Sequence, residues 1–206
     1  MTQSDFPSPP DTIDPARLTG ILDFLQACEQ LKDTLRSGAT RKGRPESTAE
    51  HSWRLALMIL LFERDLKGLD VPKLLKLSLV HDLGEAISGD VPAPHQTPGD
   101  DRAARERRDF QTLCTPLPLD LAAELLALFD EYNAAESLEA QLAKAFDKLE
   151  TMLQHLLMPT RDAIFYDFNL GYGRDRTDCS PLTRQIRDRV DVQTRDILIG
   201  LEQETA

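Results

Sequence analysis

No two of the three cysteines, Cys28, Cys114 and Cys179, stand at metal-binding spacing. Their odd number and wide separation exclude a disulfide framework and a thiolate zinc site, and fit a reducing cytoplasm. Basic charge is also scarce, since 24 Lys and Arg against 35 Asp and Glu leave a net charge of −11. That balance argues against nucleic acid or an anionic membrane as the main partner, so any phosphate has to be held locally, by a metal or a few placed arginines. No apolar run is long enough to span a bilayer. The first fifteen residues carry four prolines, no basic start and no apolar segment. They are expected to form a disordered arm rather than a signal or transit peptide. No stretch alternates convincingly at period two and no internal repeat is found, which leaves an all-α reading with residues 16–206 as a single domain.

What is there is helical periodicity. Leu18, Ile21, Leu22, Leu25, Cys28, Leu31 and Leu35 predict a first amphipathic helix of about five turns, ending near Arg36-Ser37-Gly38. A short loop with Arg36, Arg41, Lys42 and Arg44 follows, the one cationic cluster in the chain and a candidate for phosphate capture. Ser47-Thr48-Ala49-Glu50 matches a capping box, so helix two starts there with His51 in its first turn. Its nearly all-round apolar character predicts a buried central element, with Trp53 in the core. Asp70-Val71-Pro72 opens helix three, which runs through Leu74, Leu77 and Val80 into His81-Asp82 and stops by Gly89. The Pro-rich segment 91–99 predicts a loop walling a pocket. Helices are then expected over 100–113, 119–132, 137–157 and from Pro181 to about Leu201, with an aromatic patch Ile164-Phe165-Tyr166-Asp167-Phe168 between the last two. Phe146 reads as core. His95 and His155 lack partners in the sequence and read as structural.

The chemistry centres on His81-Asp82, with Glu85 four residues after His81 and hence on the same face of the expected helix. A lone His-Asp pair is common by chance, but His51 and Asp147 stand on two other predicted helices. Two imidazoles and two carboxylates suit one divalent ion, and without a thiolate the donor set leaves open Mn, Co, Fe, Ni, Zn or Mg. Such an ion lowers the pKa of a bound water and neutralises phosphoryl charge, which points to phosphate-ester hydrolysis. Glu85, near the ion but not needed as a ligand, is the candidate general acid or base.

The order His51, His81-Asp82, Asp147 resembles the HD-domain superfamily of metal-dependent phosphohydrolases. Arg44-Pro45-Glu46-Ser47 with Glu50-His51-Ser52, the block His81-Asp82-Leu83-Gly84-Glu85-Ala86-Ile87-Ser88-Gly89-Asp90, and Asp147 with Glu150 look like its 5'-deoxynucleotidase branch, over residues 18–160. The resemblance implies an all-α HD-domain helical bundle, with the metal site between central helices and a C-terminal helical extension. It further implies a homodimer that removes the 5'-phosphate from (deoxy)nucleoside monophosphates. His51, His81, Asp82 and Asp147 would be the metal ligands and Glu85 the catalytic acid or base, while Arg36 would reach the phosphate and Asp90 the sugar. In that branch an aromatic residue often follows the arginine, whereas this chain has Ser37 and Gly38; Arg102, Arg105 and Glu106 echo a charged helix of the family. Two alternatives stay open: hydrolysis of another phosphate ester, such as a cyclic nucleotide or guanosine polyphosphate, and a catalytically silent metal-binding regulatory module.

Overall fold

The computed structural model describes residues 12–92, 99 and 101–205. Short polar side chains set the helix starts. The Asp14 carboxylate accepts from the Arg17 amide at 2.8 Å and opens α1 (Pro15–Ala27). At α2 (Thr48–Leu61) the capping box is complete: Ser47 Oγ accepts from the Glu50 amide at 3.3 Å and Glu50 Oε2 accepts from the Ser47 amide at 2.9 Å. Asp70 caps α3 (Val71–Val80), where Pro72 costs nothing because first-turn amides have no helical acceptor. Ser137 caps α7 (Leu138–His155). Between them lie α4 (Glu85–Ser88), α5 (Arg102–Leu113) and α6 (Leu119–Ala134), and the chain closes with α8 (Ala163–Gly171), α9 (Arg174–Thr177) and α10 (Pro181–Thr205).

Helices α2, α3 and α7 pack together around Leu55, Ile59, Leu74, Leu77, Phe146 and Leu149, all fully buried. A second apolar cluster joins α1, α5 and α6 through Phe24, Phe110, Leu113 and Phe129, with the Phe110 and Phe129 rings 4.9 Å apart. His81 directly follows Val80, which belongs to the second cluster, and lies one helical turn after Leu77 of the first. The polar site thus starts at the seam of two apolar cores, where burial holds side chains rigidly.

Several expectations are corrected. The first helix stops at Ala27 and continues only as a 3-10 turn, Cys28–Lys32. The loop after Arg36 is a hairpin, with β1 (Leu35–Ala39) antiparallel to β2 (Pro45–Ser47). The hairpin escapes a period-two search because the more buried side of β1 is Arg36 and Gly38, not an apolar pair. Helix α2 is not buried all round: Trp53 is 65% exposed and Leu60 and Leu61 are exposed too, whereas Phe146 is fully buried as expected. Helix three ends at Val80, and a turn separates it from α4. Gly84 permits that turn to meet α5, since a Cβ there would sit 2.5 Å from the Glu106 carbonyl oxygen. The helix expected from residue 100 begins at Arg102. The disordered-arm reading lies largely outside the described residues, as do His95 and most of the Pro-rich loop; within the described part, Pro15 already belongs to α1.

Candidate active site

Four side chains from three helices and one turn converge. His51 stands in the first turn of α2, His81 caps the C-terminal end of α3, Asp82 follows it in the turn, and Asp147 projects from the middle of α7. His51 Nε2 lies 3.2 Å from Asp147 Oδ1 and 3.8 Å from Asp82 Oδ2. His81 Nε2 lies 3.1 Å from Asp82 Oδ2 and 3.9 Å from Asp147 Oδ1. Around an octahedral ion at about 2.1 Å, neighbouring donors stand about 3.0 Å apart and opposite donors about 4.2 Å, so all four spacings fall in the range one cation imposes.

The hydrogen bonds of the two rings decide what their Nε2 atoms offer. His81 Nδ1 donates to the Ser78 carbonyl at 2.8 Å, and His51 Nδ1 donates to the Glu150 carboxylate. Each ring is thereby set to present an Nε2 lone pair. Both Nε2 atoms are buried without a hydrogen-bond partner. Two lone pairs facing two carboxylate oxygens repel unless a cation lies between them, which is the observation that fits these residues to a metal. Burial and the nearby Arg36 charge oppose a proton on His51, but Asp147 and Glu150 outweigh them and lift that imidazole to about 9, so a proton and a cation compete for the same Nε2 lone pair and metal binding would release the proton. Burial likewise opposes ionisation of Asp82 and Asp147. The His81 imidazole and the Arg36 guanidinium beside Asp82, and Lys148 and the two imidazoles beside Asp147, hold both carboxyls below the usual range.

Asp147 is oriented by a division of its two oxygens. Oδ2 accepts from the Tyr132 hydroxyl at 3.1 Å and from Lys148 Nζ at 3.1 Å, leaving Oδ1 toward the histidines. Glu150 is fully buried and also takes Arg54 Nε at 2.5 Å. A second acidic group, Glu46, His51 and Glu150, is close enough to contemplate a metal, but there Glu150 is already neutralised by Arg54 and His51 presents a proton-bearing nitrogen. The other close group, His51, His81 and Asp82, has both Nε2 atoms free of hydrogen bonds, and Asp147 Oδ1 approaches it at 3.2 Å from His51 Nε2, which makes it the better site.

A polar cavity of about 140 Å³ opens beside the cluster, lined among others by His81, Asp82, Glu85, Asp90, Arg36 and Asp147. Arg36 reaches it from β1, with Nη1 on Asp82 Oδ2 at 2.9 Å and Nη2 on the Thr151 hydroxyl at 3.2 Å. Of the cationic cluster around it, Arg44 is committed to Glu50, and Arg41 and Lys42 are exposed outside this cavity, so the expected joint phosphate capture reduces to Arg36. Glu85, first residue of α4, accepts from the Thr48 hydroxyl at 3.2 Å. Burial, with the negative charges of Asp82 and Asp90, pushes its carboxyl up to about 10, so it holds a proton at neutral pH. Asp90, after the positive-φ Gly89, is raised by burial against the pull of Arg36. Arg102 and Glu106 line the same cavity, joined at 3.1 Å, while Arg105 does not. His155 does have partners: Asn169 meets its Nδ1 at 3.3 Å and Phe165 packs edge-on at 4.5 Å.

Sequence reasoning assigned no role to Tyr132, Arg54 or Thr151, and offered Lys148, beside Lys144, only as a structural ion-pair partner of Asp147. Glu150 carried a local signal, its place three residues after Asp147 on one helix face; Tyr132, Arg54 and Thr151 meet the site from separate elements or from positions that periodicity does not mark.

A helical bundle that gathers His, His-Asp and a distant Asp in this order over a polar cavity has the architecture of the HD proteins. Residues 28–187 match the HD domain family, and the chain belongs to it. It is 35% identical over 136 residues to the human 5'-deoxynucleotidase HDDC2, covering 65% of this chain and 66% of that protein. To the Bos taurus 5'-deoxynucleotidase HDDC2 it is 34% identical over 149 residues, 71% of this chain and 72% of the relative. The crystal structure of a predicted metal-dependent phosphohydrolase from Magnetospirillum magnetotacticum MS-1 superposes with a TM-score of 0.70 at 28% identity, covering 86% of this chain and 94% of that one.

Proposed function

We propose that this protein is a metal-dependent phosphomonoesterase that removes the 5'-phosphate from deoxynucleoside monophosphates, with His51, His81, Asp82 and Asp147 as ligands of one divalent ion. The observation that carries the reading is the pair of buried, unpartnered Nε2 atoms facing two carboxylate oxygens beside a cavity that also holds Glu85 and Arg36. The names of the relatives support the substrate. When bound, the ion supplies a water of lowered pKa and neutralises charge on the phosphoryl group.

The chain's own groups do the rest. Arg36, now paired with Asp82, offers a guanidinium fork to the phosphate oxygens. Glu85 gives its proton to O5' as the P–O5' bond breaks and water oxygen joins phosphorus, and recovers a proton from the attacking water. Asp90 accepts from a sugar hydroxyl. A silent regulatory module has no need of a proton-bearing carboxyl at this position, and Glu85 supports turnover. Three free cysteines and the absence, among the described residues, of a helix able to cross a membrane support a cytoplasmic setting. The exposed apolar residues Trp53, Leu57, Leu60 and Leu61 of α2 offer a face for a homodimer.

The test is phosphate release from a panel of deoxynucleoside and nucleoside 5'-monophosphates, cyclic nucleotides and guanosine polyphosphates, on metal-stripped protein resupplied with Mn, Co, Mg or Zn. Release from the deoxynucleotides with at least one ion, abolished by chelator and largely lost in Glu85→Ala with metal retained, is expected. No release with any ion refutes the proposal.

A further inference from the structure

Helix α8 presents one face to the same cavity. Phe165, Phe168, Asn169 and Tyr172 recur at the helical spacing i, i+3, i+4 and i+7, and all four line the space that His81, Asp82 and Asp147 border. The Phe168 and Tyr172 rings are stacked, with centroids 5.1 Å apart and planes tilted by 25°, so each covers one face of the other. Phe168 is 39% exposed. Core packing does not account for a phenyl ring left open to a cavity whose other walls carry arginine, lysine, aspartate and glutamate.

The surface is also held in place. Arg187 of α10 is 1% exposed and donates to the carbonyls of Asn169 at 2.8 Å, Leu170 at 2.9 Å and Tyr172 at 2.7 Å, while its Nε bonds Asp191 at 2.7 Å. One buried guanidinium therefore satisfies the last carbonyls of α8 and ties that helix to α10. On the β1 side of the cavity, next to Arg36, stands Ser37, which offers no ring.

We infer that the open face of Phe168, backed by the stacked Tyr172 ring, is the platform on which the substrate's nucleobase stacks, and that α8, tied down by α10, thereby acts as the specificity wall of the pocket. The inference rests on the proposed nucleotide substrate. Phosphate at Arg36 and a base on α8 place the two ends of a nucleotide against different elements lining one cavity. Ring faces stack on any base, so this wall selects for the presence of a base and little for its identity.

The experiment compares kcat/KM for 2'-deoxyadenosine 5'-monophosphate with that for the baseless 2-deoxyribose 5-phosphate, in the wild type, Phe168→Ala and Phe168→Trp. Truncating one stacking partner is expected to lower the nucleotide-over-baseless ratio about 5- to 150-fold, through KM rather than kcat, with the tryptophan variant restoring it. Calorimetric binding of the same two compounds to the metal-loaded protein reads the ratio without turnover. An unchanged ratio in Phe168→Ala, or a wild type with no preference for the nucleotide, overturns the platform. If neither compound yields phosphate, the hydrolase reading fails, and calorimetry still decides the platform.

Discussion

Glu150→Gln isolates the role of a residue that never touches the proposed ion. Glu150 is 1% exposed, accepts from His51 Nδ1 and takes Arg54 Nε at 2.5 Å. A carboxylate in that place fixes which imidazole nitrogen is free and adds electron density to it. The isosteric amide keeps the volume and one accepting oxygen but loses the charge, and its nitrogen can present itself to the ring instead. Loss of such an outer partner lowers metal affinity about 10- to 100-fold, or about 1.4 to 2.7 kcal/mol. Direct removal of a ligand, Asp147→Ala, should exceed that and lower bound metal at stoichiometric supply. The assay is competition for Mn or Zn against a chromophoric chelator near neutral pH, beside far-UV dichroism and a melting curve on the metal-free proteins to confirm the fold. A Glu150→Gln protein that binds metal as tightly as the wild type would show that His51 is not oriented through Nδ1, and the account of its free Nε2 would fail.

Two further substitutions test the frame around the site. Gly84→Ala places a Cβ 2.5 Å from the Glu106 carbonyl, a backbone atom that moves only with α5. It should cost about 1 to 3 kcal/mol in urea unfolding, and an unaltered midpoint would mean α4 and α5 are less closely seated. His155 is buried and held down to about 4 from its usual 6.5, mainly by burial, with the Asn169 hydrogen bond opposing. The unfolded chain therefore takes up this proton first as pH falls, so the stability it contributes is complete above 6.5 and lost toward 4, by up to about 1.4 kcal/mol per pH unit. Urea melts in chelator should show the wild type losing stability over that window relative to His155→Asn; parallel profiles would place the imidazole in solvent.

Much of this was legible in the sequence, for identifiable reasons. Helix starts at Ser47 and Asp70 depend on side chains reaching amides two or three residues on, a local matter, and both are in place. The four converging residues were legible because adjacent His81 and Asp82 carry chemistry that packing does not require. The hairpin was not, since β1 turns Arg36 and Gly38 inward and so lacks apolar alternation. The relation of Glu85 to His81 was read as one helical face, yet α3 ends and a turn intervenes; Glu85 still reaches the cavity because Gly84 lets α4 lie against α5. Trp53 and its neighbours on α2 misled because an apolar residue carries no mark of whether its face looks inward. Tyr132 gave no sign, since it reaches Asp147 Oδ2 from another helix, whereas Lys148, like Lys144, could be read as a partner of a buried Asp147 from its place in the sequence.

The most direct test of the central claim is to load metal-stripped protein with one equivalent of Mn or Zn and locate the ion by anomalous scattering in a crystal. The account predicts a single ion within about 2.0–2.3 Å of His51 Nε2, His81 Nε2, one Asp82 oxygen and Asp147 Oδ1. An ion seated instead among Glu46, His51 and Glu150, or none bound at this point between α2, α3 and α7, would contradict it.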